Sequence, residues 1–594
     1  MSEKLDSFRL TESFLQGAKR VIEKKQELNN INIFPVADGD TGSNLSSLMQ
    51  AILDNAQGNT TSISNFLNEM AEASLLGARG NSGLIFAQYL SALAENYPKT
   101  SHKVQDLINA LNHAVNKAYS SLIDPHEGTI LSVMKAWSSA LLSASQEEEP
   151  FREALLSSKL SAKKALTQTQ FQIKVLKQNQ LVDSGAMGFY YFVEGFTETY
   201  CSEGKITYKK EQSTELVSSL PSHFETVAPT YRYCSEFILK KPLLSSKKLQ
   251  NLLEDYGDSL VIIGNSAQLK IHLHVHSPEK ILQLLEPYGE VTYQKVDDMQ
   301  LQYDITKHRK ASIALVTDSI ADLPSTFLNN HQINVLPMNI MINDQAFLDK
   351  LTIRATSLEN KLVSHPKLST AQPTIRTVDA LLSFLEEKYE HVLVVTVSSK
   401  LSGTNQLINQ RIKEKQLSPN WIRVIDSKLN SAAQGLLVQE ASKWIETGMT
   451  FESLIFNVEK LRERIFIYVA VEDLSAMISS GRIPAKLGKI AQKLSLHPII
   501  TLDSSGNGRL GGLSFSQEGS MKKIKKKIDK LVAKNKVQNL AITHTAVPNK
   551  ALQWREELLG TAQLDFIVES STAIAISAGI GSIAIAGIQK EKNL

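Results

Sequence analysis

The sequence predicts a multidomain protein: an all-α helical bundle, then a small α+β domain, then an α/β domain. Three observations support this order. Residues 1 to 200 carry apolar residues at helical spacing and no convincing alternating strand. Residues 223 to 300 mix short strand-like runs with a helix, and from 310 to 594 β-branched runs alternate with helical segments. At 594 residues the chain has room for about three or four domains.

Composition narrows the function classes. A formal net charge of +3 with 21% charged residues is close to balanced, so no nucleic acid partner is expected. Two cysteines, Cys201 and Cys234, argue against a disulfide framework and suit a reducing cytoplasm. Residues 1 to 30 are amphipathic and rich in charge, unlike a secretory signal. The apolar run Thr572 to Ile588 is short for a membrane span and carries Gly579, Gly581 and Gly587. A buried strand with a glycine turn is expected there rather than a transmembrane segment.

Four glycine-rich loops punctuate the helical region, each opening a helix. The first is Pro35-Val36-Ala37-Asp38-Gly39-Asp40-Thr41-Gly42-Ser43-Asn44. Asp38 and Asp40 can aim hard oxygen ligands at one cation if Gly39 and Gly42 let the backbone curl. Thr41, Ser43 and Asn44 suit a helix N-terminus whose amides would face an anion held by that cation. Taken alone, the loop is equally well explained as an Asx-rich turn without a ligand. The second loop, Gly77-Ala78-Arg79-Gly80-Asn81-Ser82-Gly83, offers close backbone approach, a fixed positive charge and amide donors, which a polyphosphate needs. A helix–helix turn would explain its glycines but leave Arg79 and Asn81 without a role. His126-Glu127-Gly128-Thr129 precedes the helical run Ile130 to Leu142, and Asp183-Ser184-Gly185-Ala186-Met187-Gly188 precedes Phe189 to Phe196. The expectation is a bundle with these loops gathered at one end. None of them is a Walker A loop or a dinucleotide fingerprint.

These motifs, with Asn32-Ile33-Phe34-Pro35, resemble the nucleotide-binding component of dihydroxyacetone kinases (the DhaL family) over residues 10 to 200, and more closely the kinase domain of bacterial fatty acid kinase. The resemblance implies that Asp38 and Asp40 hold Mg²⁺ against the phosphates of ATP and that the loops cradle those phosphates. The cradling residues would be Thr41, Gly42, Ser43, Asn44, Gly80, Asn81, Ser82, Gly128, Thr129, Asp183 and Gly185. Dihydroxyacetone kinases supply a third aspartate slightly upstream. Here the candidates are Asn29, Asn30 and Asn32, with Asn32 the expected further metal ligand. Ala186 and Met187 stand where the family tends to have glycine.

Residues 201 to 222 turn polar and read as a linker. In the domain that follows, Tyr233 to Leu239, Ser259 to Ile263 and Leu269 to Val275 read as strands and Lys247 to Tyr256 as a helix. His272, His274 and His276 alternate and so project from one face. That suits a metal, with Cys234 on a neighbouring strand completing a tetrahedral zinc site, although a solvated polar face explains the histidines too. Tyr233 to Phe237 and His274-Val275-His276-Ser277 are similar to the middle domain of fatty acid kinase. That likeness implies structural Zn²⁺ held by Cys234, His274 and His276, with His272 the least certain ligand.

In the third region, strands are expected at Ile313–Thr317, Val335–Ile342, Val392–Val397, Arg423–Asp426, Ile465–Val471, Pro498–Leu502, Asn539–Thr543 and Asp565–Val568. Ligands of such sheets bind beyond the C-terminal strand ends. Val316-Thr317-Asp318-Ser319-Ile320-Ala321-Asp322-Leu323-Pro324, Ser369-Thr370-Ala371-Gln372-Pro373-Thr374, Ser398-Ser399-Lys400-Leu401-Ser402-Gly403-Thr404 and Ser480-Gly481-Arg482-Ile483 resemble the two-lobed DegV family of fatty-acid-binding proteins over residues 312 to 590. A carboxylate head group wants hydroxyl and amide donors, and Thr370, Gln372, Ser402 and Gly403 are the expected substrate-binding positions. Arg482 would neutralise a carboxylate or acyl phosphate, unless it serves a surface ion pair. Ser577 stands where the family often has a histidine. Lys522 to Val532 places Ile524, Ile528, Leu531 and Val532 on one helical face and lysines on the other. The stripe suits transient contact with an anionic membrane surface, or, more simply, packing against the sheet with the lysines in solvent.

The fusion implies a kinase that phosphorylates a fatty acid bound by its own DegV-like domain to an acyl phosphate. Asp38, Asp40 and Arg79 would be the catalytic residues, with Mg²⁺ and Arg79 offsetting charge on the γ-phosphoryl group. The expected partners are a fatty acid, a second copy of the chain and an acyl-accepting enzyme of phospholipid synthesis. Two other classes stay open: a dihydroxyacetone kinase-like small-molecule kinase, and a lipid-binding or regulatory protein with a degenerate kinase site.

Overall fold

The computed structural model describes residues 3–34, 39–56, 62–122, 125–202, 228–264, 266–343, 345–361, 367–472, 496–534, 536–558 and 562–591. They form two compact units, one of residues 1–276 and 285–300 and the other of residues 277–284 and 301–594.

In the first unit, the described residues up to 202 form only helices: α1 (Ser7–Glu23), α2 (Lys25–Asn30), α3 (Thr41–Asn55), α4 (Ile63–Gly77), α5 (Gly80–Asn96), α6 (Val104–Ser120), α7 (Ile130–Gln146), α8 (Phe151–Gln172), α9 (Lys174–Asn179) and α10 (Ser184–Cys201). Helix α10 is apolar on nearly every side, which suits a central helix. Its Phe189, Phe192 and Phe196 are buried and meet Phe86, Phe14 and Trp137 of surrounding helices. The rings of Phe86 and Phe192 lie edge to face at 5.1 Å, a geometry contributing about 0.5–1.5 kcal/mol beyond area burial.

The same unit includes the small α+β domain. Strands β1 (Tyr233–Lys240), β2 (Asp258–Gly264), β3 (Gln268–Val275) and β4 (Glu290–Asp298) form one antiparallel sheet in the order β2-β3-β1-β4, with α11 (Ser246–Leu253) between β1 and β2. Because strand residues alternate, Phe237, Leu239, Ile271 and Leu273 share one face and are buried in an apolar layer. Cys234, Glu236, Lys270, His272, His274, Lys295 and Asp297 share the other. On β2, Val261 and Ile263 join the core of the helical bundle. Residues 295 to 308 complete β4 and form the helix Met299–His308. Most of the linker expected at 201 to 222 lies outside the described residues.

The second unit is α/β. A parallel sheet ordered β11-β10-β5-β6 is built from β5 (Ile313–Asp318), β6 (Asn334–Leu336), β10 (His391–Thr396) and β11 (Ile422–Asp426). A six-stranded mixed sheet, ordered β14-β13-β12-β17-β15-β16, comprises β12 (Ile465–Ala470), β13 (His497–Leu502), β14 (Gly508–Ser514), β15 (Val537–His544), β16 (Gln563–Glu569) and β17 (Ile583–Gln589). A small sheet, ordered β8-β7-β9, joins β7 (Asn339–Ile342), β8 (Gln345–Leu348) and β9 (Leu368–Ala371). The strand expected over Val335–Ile342 is therefore two strands in two sheets, broken at Pro337, which has no N–H to give a ladder. The apolar run Thr572 to Ile588 begins as a helix, Thr572–Ala578, turns at Gly579 to Gly581, and ends in β17, an inner strand flanked by β12 and β15. In the lysine-rich helix Gln517–Ala533, Ile524 and Ile528 are fully buried against the large sheet.

Candidate functional site

In the first unit the loops that open α3, α5, α7 and α10 come together. Gly80 lies at φ +56°, and a Cβ there would stand 2.6 Å from the Asn44 amide nitrogen, so the first and second loops touch at a position that wants glycine. A Cβ on Gly185 would collide with the Ser82 hydroxyl, which joins the second loop to the fourth. The Asp183 carboxylate caps α10 by accepting from the Ala186 amide at 2.7 Å, and it also accepts from the Ile130 amide at the start of α7. Burial pushes the Asp183 carboxyl up to about 7 despite these donors. The Ser184 hydroxyl donates to the Leu28 carbonyl, tying the fourth loop to the chain just before the first.

Within this cluster, Asp40 is the residue immediately before α3, while Asp38 lies outside the described residues. Asn29 orders the first loop: the Ser43 amide donates to its Oδ1 at 2.9 Å, and its Nδ2 donates to the Ser43 hydroxyl at 3.0 Å. Asn32 is buried. Thr129 is the N-cap position of α7, with its hydroxyl donating to the His126 carbonyl. Asn81 carries a buried side-chain oxygen with no partner among the described residues. A carboxylate, a guanidinium, several helix N-termini and glycines that leave room for close approach fit a metal-bound polyphosphate.

The ionisable face of the small sheet adds groups that histidine spacing alone does not reveal. Cys234 is opposite His274 on β3 and opposite Asp297 on β4, while Glu236 is opposite His272 and Lys295. Ligand atoms of Cys234, His272 and His274 lie within 4.8 Å of one another, with Cys234 Sγ 3.9 Å from His272 Nδ1. Tetrahedral zinc with these donors needs separations of roughly 3.3–3.6 Å, so small side-chain adjustments suffice. His274 Nδ1 pairs with Asp258 at 2.9 Å, leaving Nε2 for a metal, and His272 Nε2 is buried without a partner among the described residues. His276, a ligand in the expected set, instead has its ring 4.9 Å from that of Tyr231, and His272 takes its place in the cluster. The reason is that β3 ends at Val275, so the alternation aligning 272 with 274 stops before 276. Burial raises the Cys234 thiol, Lys295 opposes this, and Asp297, Glu236 and Asp40 add to it.

In the second unit a cavity of about 410 Å³ lies among the strand ends. That volume falls within the usual range for small-molecule sites, about 300–1,000 Å³. Thr370, Gln372, Ser402 and Gly403 all line it, and Gln372 packs on Gly403, whose Cβ would stand 2.5 Å from its Oε1. Its walls include Ile320, Met338, Leu401, Val469, Ile500 and Leu502. Ser577 also lines it, with its hydroxyl donating to the Ala573 carbonyl. Asn430, Ser431, Thr543 and Thr545 add polar positions that the motifs did not identify. Arg482 lies outside the described residues.

Beneath this cavity is a buried polar layer. Asp322 accepts from the Ser431 hydroxyl, the Ser571 amide and the Lys350 ammonium. Asp318 accepts from the Val397 amide and Gln434, and burial pushes its carboxyl up to about 6.

Three segments match described families. Residues 35–198 match the DAK2 domain, residues 230–306 the middle domain of a fatty-acid-kinase-like family, and residues 312–590 the family described as uncharacterised protein, DegV family. An uncharacterized protein of Staphylococcus haemolyticus is 28% identical over 314 residues, covering 51% of this chain and 57% of that one. One from Mycoplasma genitalium is 27% identical over 346 residues, covering 54% and 62%. The chain thus spans somewhat over half the length of these relatives. Among solved structures, a fatty-acid-binding DegV family protein of Streptococcus agalactiae is 27% identical with a TM-score of 0.42, covering 47% of this chain and 100% of that one. The Thermus thermophilus DegV family protein, described by its fatty acid binding, is 24% identical with a TM-score of 0.43 and the same coverage. No helix among the described residues is long and apolar enough to cross a membrane. The chain is a fusion of a DAK2-type (DhaL-like) helical domain, a middle domain of the fatty-acid-kinase-like kind, and a DegV domain.

Proposed function

We propose that the chain transfers the γ-phosphoryl group of ATP to the carboxylate of a fatty acid held in its own DegV domain, giving an acyl phosphate in the cytoplasm. The observation that carries this reading is the pairing, on one chain, of gathered phosphate-type loops with a largely apolar, hydroxyl-edged cavity. The match of the middle domain to a fatty-acid-kinase-like family supports the choice of acceptor.

The chemistry asks little of acid–base groups. A fatty acid carboxylate is already an anion at neutral pH, so its oxygen attacks the γ-phosphorus while the bond to the β-phosphate oxygen breaks, and no proton is moved. Positioning and charge neutralisation supply the rate. Arg79 offers a fixed positive charge beside the loop amides, and Asp38 and Asp40 would hold Mg²⁺, which neutralises phosphate charge when bound. Cys234, His272 and His274 would hold Zn²⁺, which cross-links β1 to β3. The cavity walls exclude water from the acyl tail, and Thr370, Gln372 and Ser402 supply donors for its head group. Covalent tethering raises the effective concentration of carrier over kinase.

The test is ATP consumption with oleate by the parent and by Asp38→Ala and Asp40→Ala. Oleate-dependent turnover lost in both variants supports the reading. Lipid extracted with the protein but no carboxylate-dependent turnover makes it a carrier or regulator, and turnover with dihydroxyacetone in place of oleate makes it a ketone kinase.

A further inference from the structure

Lys270 is a lysine where a lysine is expensive. Its side chain is 4% exposed and it sits on β3 of the middle domain, on the face turned to the helical bundle. Burying an ammonium requires a partner, and Glu236 on the neighbouring strand supplies one at 3.2 Å, itself held 3.7 Å from His272. That pair satisfies the charge but leaves donors over. One is spent outside the domain: the ammonium donates to the backbone carbonyl of Ala78, 192 residues earlier in the chain.

Ala78 is the C-cap of α4 and the residue before Arg79, which is the N-cap of α5. Carbonyls at helix ends lack partners within the helix, so the bond from Lys270 satisfies one such group. It also fixes the peptide plane between Ala78 and Arg79, which sets where Arg79 begins and how Gly80 enters its left-handed turn against Asn44. Arg79 lies close enough to repel the Lys270 charge, as does Lys295. A buried cation pinned between Glu236 and a carbonyl is not free to meet a phosphate, so its effect on the loop is indirect.

We propose that Lys270 is a positioning residue for the Arg79 loop, by which the middle domain holds the phosphate site of the helical domain in its binding geometry. This rests on the phosphoryl-transfer reading given above.

The experiment uses the full chain, with MgADP as the probe. Lys270→Met alone strands the Glu236 charge and risks misfolding, so the decisive variant is Lys270→Met with Glu236→Gln, which removes both charges together. The double variant is expected to melt close to the parent yet bind MgADP about tenfold more weakly by calorimetry, the size of one charge-assisted hydrogen bond. Its kcat should fall along with the rise in KM for ATP, because Arg79 is misplaced in the transition state as well. A folded double variant that binds MgADP with parental affinity overturns the proposal and leaves the kinase reading standing. A parent chain that binds no MgADP overturns the kinase reading and takes this inference with it.

Discussion

Replacing Gly80 by alanine tests the loop architecture at its tightest point. The backbone there lies at φ +56°, where an L-residue with a Cβ is disfavoured by about 1–2 kcal/mol. The added Cβ would stand 2.6 Å from Asn44 Nδ2 and 3.3 Å from Asn44 Cγ, so Asn44 must move and the first loop with it. Gly83, three residues on, is the matched control. A Cβ there meets nothing nearer than 3.7 Å and no positive φ is involved, so alanine should be neutral or stabilising by up to about 1 kcal/mol. The two variants should therefore differ by roughly 1–3 kcal/mol in stability. Differential scanning calorimetry and MgADP titration on the full chain read both effects, with Gly80→Ala weakened in stability and nucleotide binding and Gly83→Ala in neither. If the two variants melt and bind alike, the convergence of the first two loops is not what holds the site.

Three further outcomes follow from the geometry. His272→Ala should abolish stoichiometric zinc binding while His276→Ala keeps it; the reverse would restore the Cys234, His274, His276 set. Asp318 has its folded carboxyl raised to about 6 from 3.8 by burial, so the parent loses stability as pH rises from 4 through 6. Asp318→Asn lacks that loss, and its stability deficit against the parent should shrink by roughly 3 kcal/mol between pH 4 and pH 7; a deficit that does not change with pH removes the buried-carboxylate account. Ala573→Phe fills part of the cavity wall and should weaken oleate binding about tenfold, the cost of displacing about two methylenes, with MgADP binding unchanged. Undiminished oleate affinity would place the acyl tail elsewhere.

Much of this architecture is legible in the chain because local chemistry and tertiary position agree there. The four loops are marked by glycines beside small polar residues, and most of those glycines, Gly80 and Gly185 among them but not Gly83, lie at left-handed or crowded positions. The cavity residues Thr370 and Gln372, at the end of β9 in the small antiparallel sheet, and Ser402 and Gly403, in the loop after β10 of the parallel sheet, are visible as motifs. What escapes a reading of the chain is set by pairing between distant strands. Glu236, Lys270 and Lys295 look like surface charges until the register places them on one buried face. The continuation of the zinc-type motif to His276 fails to anticipate that the strand ends one residue earlier. Strands β9 and β14 escape for different reasons, β9 being short and β14 glycine-rich, while in the apolar run 572 to 588 the strand β17 is anticipated but the helix before it is not.

The proposed reaction makes an acyl phosphate from ATP and a fatty acid. The direct measurement is hydroxylamine trapping, with oleate and MgATP supplied to the parent and to Asp40→Ala. The expected product is oleoyl hydroxamate that requires both substrates and disappears in the variant. Trapped product absent from the parent, with oleate still bound in the cavity, would contradict it.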